Sequence, residues 1–213
     1  MAGIQTDRML PMSGKSLVPI LESKKSGIVD TSRKYVFAGR ERHSSSRWNN
    51  AGYPQRAVRS REYLLIWNAE PERWPAGAPQ SINPDTKKLN PMYGIDRNGN
   101  HHSEWAFTDI DASPSKSFIV ENHANPEYKF YFDLAVAKRP EFELFKVTED
   151  PGCLKNLSGQ AAFSDVELEL KKVLFDELEK TGDPRVVGPD KEIFDSYIRY
   201  SPMREFPRPD WAK

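Results

Sequence analysis

The sequence predicts an α+β fold: a small antiparallel sheet, a packed C-terminal amphipathic helix and long Pro-rich loops. Three observations carry that expectation. The segments Tyr35–Gly39, Arg56–Ser60, Tyr63–Trp67 and Phe142–Val147 are rich in β-branched and aromatic residues. Only one segment, residues 164–181, holds a sustained helical stripe, formed by Val166, Leu170, Val173, Leu174 and Leu178. The 17 prolines fall mostly between these segments, where regular structure cannot persist.

Taken in order, Ser16–Leu21 reads as a short helix with Leu17, Ile20 and Leu21 on one face and Pro19 in its first turn. Pro11 and Ser13-Gly14 mark a turn before it. Tyr35–Gly39 and the pair Arg56–Ser60 and Tyr63–Trp67 are strands, the last apolar enough to be buried on both faces. Asn68–Gly99 contains Pro71, Pro75, Pro79, Pro84 and Pro91 and is expected to be a loop anchored by Trp74, Met92 and Tyr93. Ser113-Pro114 caps a short helix burying Phe118 and Ile119. Asn125-Pro126 opens a second, with Tyr128, Tyr131, Phe132 and Ala135 inward, closed by Lys138-Arg139-Pro140. Asp150-Pro151-Gly152 is a turn. Ser164 and Glu167 form a capping box, and Gly182 closes that helix. Phe194, Tyr197, Tyr200 and Trp211 are expected to hold the tail against the body.

Composition excludes some partners. Thirty-one basic residues balance 31 acidic ones, so no field of one sign exists to steer nucleic acid. No apolar run approaches the length of a membrane span, and Met1–Gly14 lacks a basic region followed by an apolar core, so neither a membrane partner nor a signal peptide is expected. The single cysteine, Cys153, allows neither an intramolecular disulfide nor a cysteine-based zinc site. It has no local acid–base partner. The segment Asp96–His102 begins like a calcium loop, but its glycine falls a position early and Phe107 stands at the closing carboxylate, so a polar turn is expected.

The polar stretch between the first two strands is the candidate site. Arg40, Glu41, Arg42, His43, Arg47, Trp48, Asn49, Asn50, Tyr53 and Gln55 mix cations, amides and rings in a way that suits an anionic, hydroxyl-rich ligand. The same residues would also make an ordinary solvated connection.

Several segments together resemble the C-terminal portion of the sulfatases. Met1–Ile4 and Met12–Leu21 resemble a stretch near the end of the sulfatase catalytic domain. Phe142–Phe145, Asp150-Pro151-Gly152, Asn156-Leu157 and the helix after them resemble the C-terminal subdomain. Val36–His43, Gly52–Arg59, Glu72–Gly77 and Thr181–Arg185 look closest to the heparan N-sulfatase (sulfamidase) branch and its bacterial relatives. The resemblance implies the C-terminal part of an alkaline-phosphatase-like sulfatase fold, with residues 1–60 ending the catalytic domain and residues 61–213 forming the C-terminal subdomain. It implies hydrolysis of sulfate esters or sulfamates on sulfated sugars, in a periplasmic, secreted or lysosomal parent. A complete family member uses calcium and a formylglycine made from Cys or Ser in a C/S-x-P/A-x-R pattern. Cys153-Leu154-Lys155-Asn156-Leu157 departs from it at the third and fifth positions. The chain alone is therefore expected to hold no cofactor and to be inactive, with a separate N-terminal catalytic domain and a sulfated saccharide as its partners. The residues implied at the substrate are Arg40, Glu41, Arg42, His43, Tyr53 and Gln55. The alternative is a non-catalytic carbohydrate-binding or interaction protein derived from a sulfatase.

Overall fold

The computed structural model describes residues 14–212. Its centre is a four-stranded antiparallel sheet in sequence order: β1 (Val36–Arg40), β2 (Gln55–Arg59), β3 (Tyr63–Asn68) and β4 (Phe142–Lys146). Helix α1 (Val18–Leu21) precedes the sheet. Between β3 and β4 lie α2 (Pro114–Glu121) and α3 (Lys129–Val136). After β4 come the long α4 (Ser164–Thr181) and the short α5 (Pro184–Val187). The fold is thus α+β, with one small antiparallel sheet and long loops, as the residue pattern predicts.

Alternation builds the main core. Val58, Leu65, Trp67 and Leu144 point to one face of the sheet and meet Leu170, Leu174 and Leu178 of α4. Trp67 packs on Phe175 with ring centroids 5.0 Å apart. The predicted stripe of α4 is therefore its buried face. On the other face Leu64 and Ile66 are only half-buried, so β3 is not covered on both sides as its apolar run predicts. The edge strand β1 is exposed at every residue, and it presents Val36 and Phe37 to solvent.

A second core holds the Pro-rich segment down. Phe107, Val120, Phe132 and Val136 are buried there, with Trp74 and Tyr93 packed against them. Tyr93 stacks on Phe107 at 5.6 Å. Met92, expected to help anchor this loop, is exposed instead. In α2 the buried positions are Lys116 and Val120, one helical turn apart, which turns Phe118 outward. Tyr131 of α3 is likewise exposed. Ser113 does cap α2, accepting the Lys116 N–H at 3.1 Å.

The ends of α4 divide the same way. Gly182 adopts φ 70°, and the N–H groups of Gly182 and Asp183 donate to Glu179 and Leu178, closing the helix as predicted. The capping box does not form. Ser164 already has helical φ/ψ and its side chain caps nothing. Glu167 instead accepts from Ser158 Oγ and Gly159 N–H and pairs with Lys171. A loop that folds back on the helix offers that carboxylate better donors than the helix's own N-terminus. In the tail Trp211 and Phe194 pack on the body, whereas Tyr197 and Tyr200 are exposed. Leu17 and Leu21 around α1 are exposed as well. The segments Met1–Ile4 and Pro11–Ser13 lie outside the described residues. The 60/61 boundary falls in the tight turn where Ser60 N–H donates to Tyr63 O, between two strands of one sheet.

Lys116 makes a testable buried contact beside the second core. It is 5% exposed, and Nζ donates to Ser103 O and Ile110 O at 3.0 Å each. Burial, assisted by repulsion from Arg204, pushes its pKa from the ordinary 10.5 down to about 8. Between those values the unfolded chain binds more protons than the folded one, so this residue makes stability rise as pH increases from about 8 to about 10.5. Denaturant titrations across that range show this rise in the native chain and a flatter profile in Lys116→Met. Identical profiles would mean that the ammonium is not buried.

Candidate functional site

The sheet register creates the site. Arg40 pairs with Gln55, so residues 41–54 leave the sheet and return to it at one edge. The loop closes on itself through Tyr53 N–H to Glu41 O at 2.7 Å. Asn49 and Asn50 turn the chain with φ of 49° and 58°, a conformation asparagine tolerates better than most residues. Gly52 is required by close approach rather than by φ. A Cβ there would lie 2.4 Å from Glu41 O.

An internal ionic lattice holds this loop to the C-terminal segments. Glu41 Oε1 accepts from Arg56 Nη2 at 2.5 Å, and Glu41 Oε2 accepts from Arg185 Nη2 at 2.7 Å. Arg56 also donates from Nε to Asp183 at 2.6 Å. Arg73 donates from Nη1 to Asp195 at 2.8 Å and to Gly52 O at 3.1 Å, and Gly52 N–H donates to Asp195 at 2.7 Å. The guanidiniums of Arg56, Arg73 and Arg185 are almost fully enclosed. Burial alone would lower the pKa of Arg56 and Arg185, but their bonded carboxylates outweigh it and raise both. Burial pushes Asp195 up, yet the Gly52 N–H and Arg73 hold it below the usual carboxylate range.

The six residues implied at the substrate separate into two groups in this frame. Glu41 is committed to two guanidiniums. Arg42 is half-buried and donates to Asn50 O at 2.8 Å and Phe194 O at 3.4 Å. Tyr53 is 1% exposed, and burial pushes its phenol up to about 12. Gln55 donates to Asn68 Oδ1 at 2.7 Å. These four side chains build the loop. Arg40 and His43 face solvent. Among the described residues Arg40 has no carboxylate within ion-pair distance; its guanidinium lies 6.0 Å from the Tyr53 ring centroid. His43 Nδ1 is 3.7 Å from Asp109 Oδ1.

Asp109 was not visible as a site residue in the sequence. It arrives from beyond the Pro-rich segment, two residues after Phe107 of the second core, and takes Arg47 Nη2 at 2.7 Å and Ser44 Oγ at 2.9 Å. Arg47 and Ser44 hold its carboxyl below the ordinary range against the upward push of burial. Its only advance signal was the excess of cations over carboxylates in residues 40–47.

The other sequence candidates do not join this site. Cys153 is a free, partly buried thiol whose pKa burial raises, which disfavours the nucleophilic thiolate. Asp96 is held down to about 2 by His102 and by the N–H groups of Asn100 and Asn98, closing a polar turn. Among the described residues no cluster of His, Cys, Asp and Glu is arranged to hold a metal ion, and no helix is long and apolar enough to cross a membrane. What this edge offers chemically is an exposed guanidinium, Arg40, and an exposed imidazole, His43, and a guanidinium is suited to binding an anion. No protein-family model matches this sequence, and no curated protein matches it.

Proposed function

We propose that this chain is the C-terminal portion of a sulfatase, sulfamidase-like in its substrate class, and that Arg40 and His43 form one edge of a pocket for a sulfated sugar. The observation that carries the reading is the contrast within one loop. Glu41, Arg42 and Arg47 are bonded to other groups of the protein, whereas among the described residues Arg40 stands at the sheet edge without a carboxylate. A guanidinium free of a carboxylate can bind sulfate bidentately. The order of segments that resembles the family also supports it: Leu144 of β4, Leu157 and α4 pack into one core, and Asp183 turns back to bind Arg56. The exposed Val36 and Phe37 on the edge strand offer apolar surface to a catalytic domain.

Calcium and formylglycine do not fit these residues. The Cys153 pattern departs from the modification motif, and among the described residues no acidic cluster is assembled. Both would belong to the catalytic domain, so no step through either is assigned here. The second reading is a non-catalytic carbohydrate-binding or interaction protein derived from a sulfatase.

The test is sulfate release from glucosamine N-sulfate by the gene product that joins these residues to a catalytic domain carrying formylglycine. Arg40→Ala/His43→Ala is expected to raise KM about tenfold, with kcat changed much less, because a charge-assisted contact to substrate is lost. An unchanged KM in a stably folded variant removes the loop from the substrate. Turnover of an O-sulfated sugar alone would keep the sulfatase reading and remove the sulfamidase one. Saccharide binding with no turnover of either substrate supports the second reading.

A further inference from the structure

A cleft of about 680 Å³ opens where the 47–48 turn, the Pro-rich segment and the tail meet. Its walls are indoles. Trp48 and Trp211 meet edge to face, with centroids 6.3 Å apart at 77°, and Trp74 forms another side. All three are partly exposed. A cation lies over each of these rings: Lys138 Nζ is 6.0 Å from the Trp74 centroid, the Arg208 guanidinium 5.7 Å from that of Trp48, and the enclosed Arg73 guanidinium 4.8 Å from that of Trp211. Arg47 contributes to the lining, fixed by Asp109 and the carbonyls of Trp74 and Pro75, and its Nη1 has no protein acceptor. Gln80, Glu72 and Asp210 complete the polar lining.

We propose that this cleft binds one ring of a sulfated or carboxylated saccharide. A pyranose has C–H faces that pack on indoles, hydroxyls that need both donors and acceptors, and here an anion for the cations. The lining supplies all three kinds of partner, and the volume suits one or two sugar rings. Simpler ligands use only part of it. A free inorganic anion leaves the indoles without a partner. An apolar ligand makes no use of the charged groups of Lys138, Arg208, Glu72 and Asp210. A dense polyanion is repelled by Glu72 and Asp210. Arg208 has no carboxylate within ion-pair distance among the described residues, and the Lys138–Glu72 pair is long, at 3.5 Å, and exposed, so both cations are available. The cleft's own chemistry carries this inference; a chain that binds here and hydrolyses nothing would satisfy it.

Tryptophan fluorescence of the 213-residue chain reads the site directly. Glucosamine N-sulfate is expected to give a saturable change, N-acetylglucosamine one about tenfold weaker, and sodium sulfate none. Arg208→Ala and Lys138→Ala, both with unchanged thermal midpoints, each weaken binding about fivefold. Lys172→Ala, on the exposed face of α4 and outside both the cleft and the 40–43 loop, leaves this titration unchanged. No saturable change with glucosamine N-sulfate overturns the proposal. So does an equal response to sodium sulfate, or a loss of binding in Arg40→Ala that Arg208→Ala and Lys138→Ala do not share. In the last case the saccharide sits at the 40–43 loop, and the sulfatase reading survives while the cleft does not.

Discussion

Glu41→Ala is expected to lower the free energy of unfolding by about 3 kcal/mol, the cost of leaving enclosed cations short of a partner. Its carboxylate neutralises Arg56 and Arg185 at once. Arg56 keeps Asp183, but Arg185 is left with Asp195 at 3.5 Å and Glu70 at 4.0 Å. A guanidinium 2% exposed cannot recover its hydration without opening the junction between loop and tail. Adding Arg185→Met removes the stranded charge, so the double variant should regain part of the lost stability. Urea titrations of both variants measure this. A loss in Glu41→Ala below about 0.5 kcal/mol, the range of ordinary surface substitutions, would show that the lattice contributes nothing to the fold.

Gly52→Ala is expected to cost a similar amount, about 3 kcal/mol, through a steric route. The added Cβ would lie 2.4 Å from the Glu41 carbonyl oxygen, a backbone atom that cannot rotate away. Relief requires moving the strand that Tyr53 N–H holds to Glu41 O, and with it the N–H and C=O that Asp195 and Arg73 bind. Because both substitutions act on one junction, their effects should fall short of additive when combined. A denaturation midpoint for Gly52→Ala equal to that of the parent would mean that the loop is not closed as described. The same variant should also loosen the mounting of Arg40 and His43, so any saccharide bound at the loop should weaken with it.

Much of the scaffold was legible in the residues because it rests on local rules. The β-branched and aromatic content of the strands, the stripe of α4, Ser113-Pro114 at a helix start and Gly182 at a helix end each depend on a few neighbours in sequence. The misplacements share one cause. Phe118, Tyr131, Met92 and Tyr200 were expected inward for being large and apolar, yet all four are exposed. Which face of a short helix or loop turns inward is set by what packs against it, and apolarity alone does not report that. The capping box failed likewise, since Glu167 found better donors in the Ser158-Gly159 loop than at its own helix terminus.

The candidate site was legible as a stretch but not as a set of roles. Sequence alone located the polar residues 40–55 between two strands, and it identified them as a mixture of cations, amides and rings. It could not show that Glu41 lies between Arg56 and Arg185, that Asp109 takes Arg47, or that Tyr53 is enclosed. Those partners are separated by up to 144 residues along the chain. Whether a charged side chain faces a ligand or a counter-ion depends on that distant pairing. The sequence therefore determined the α+β class, the strands, the long helix and the place of the loop, because propensity and periodicity act over a few residues. Tertiary structure decided that Arg40 and His43 are the exposed members of the predicted set and that three tryptophans far apart in sequence meet in one cleft, because burial and ion pairing are settled only when remote segments pack.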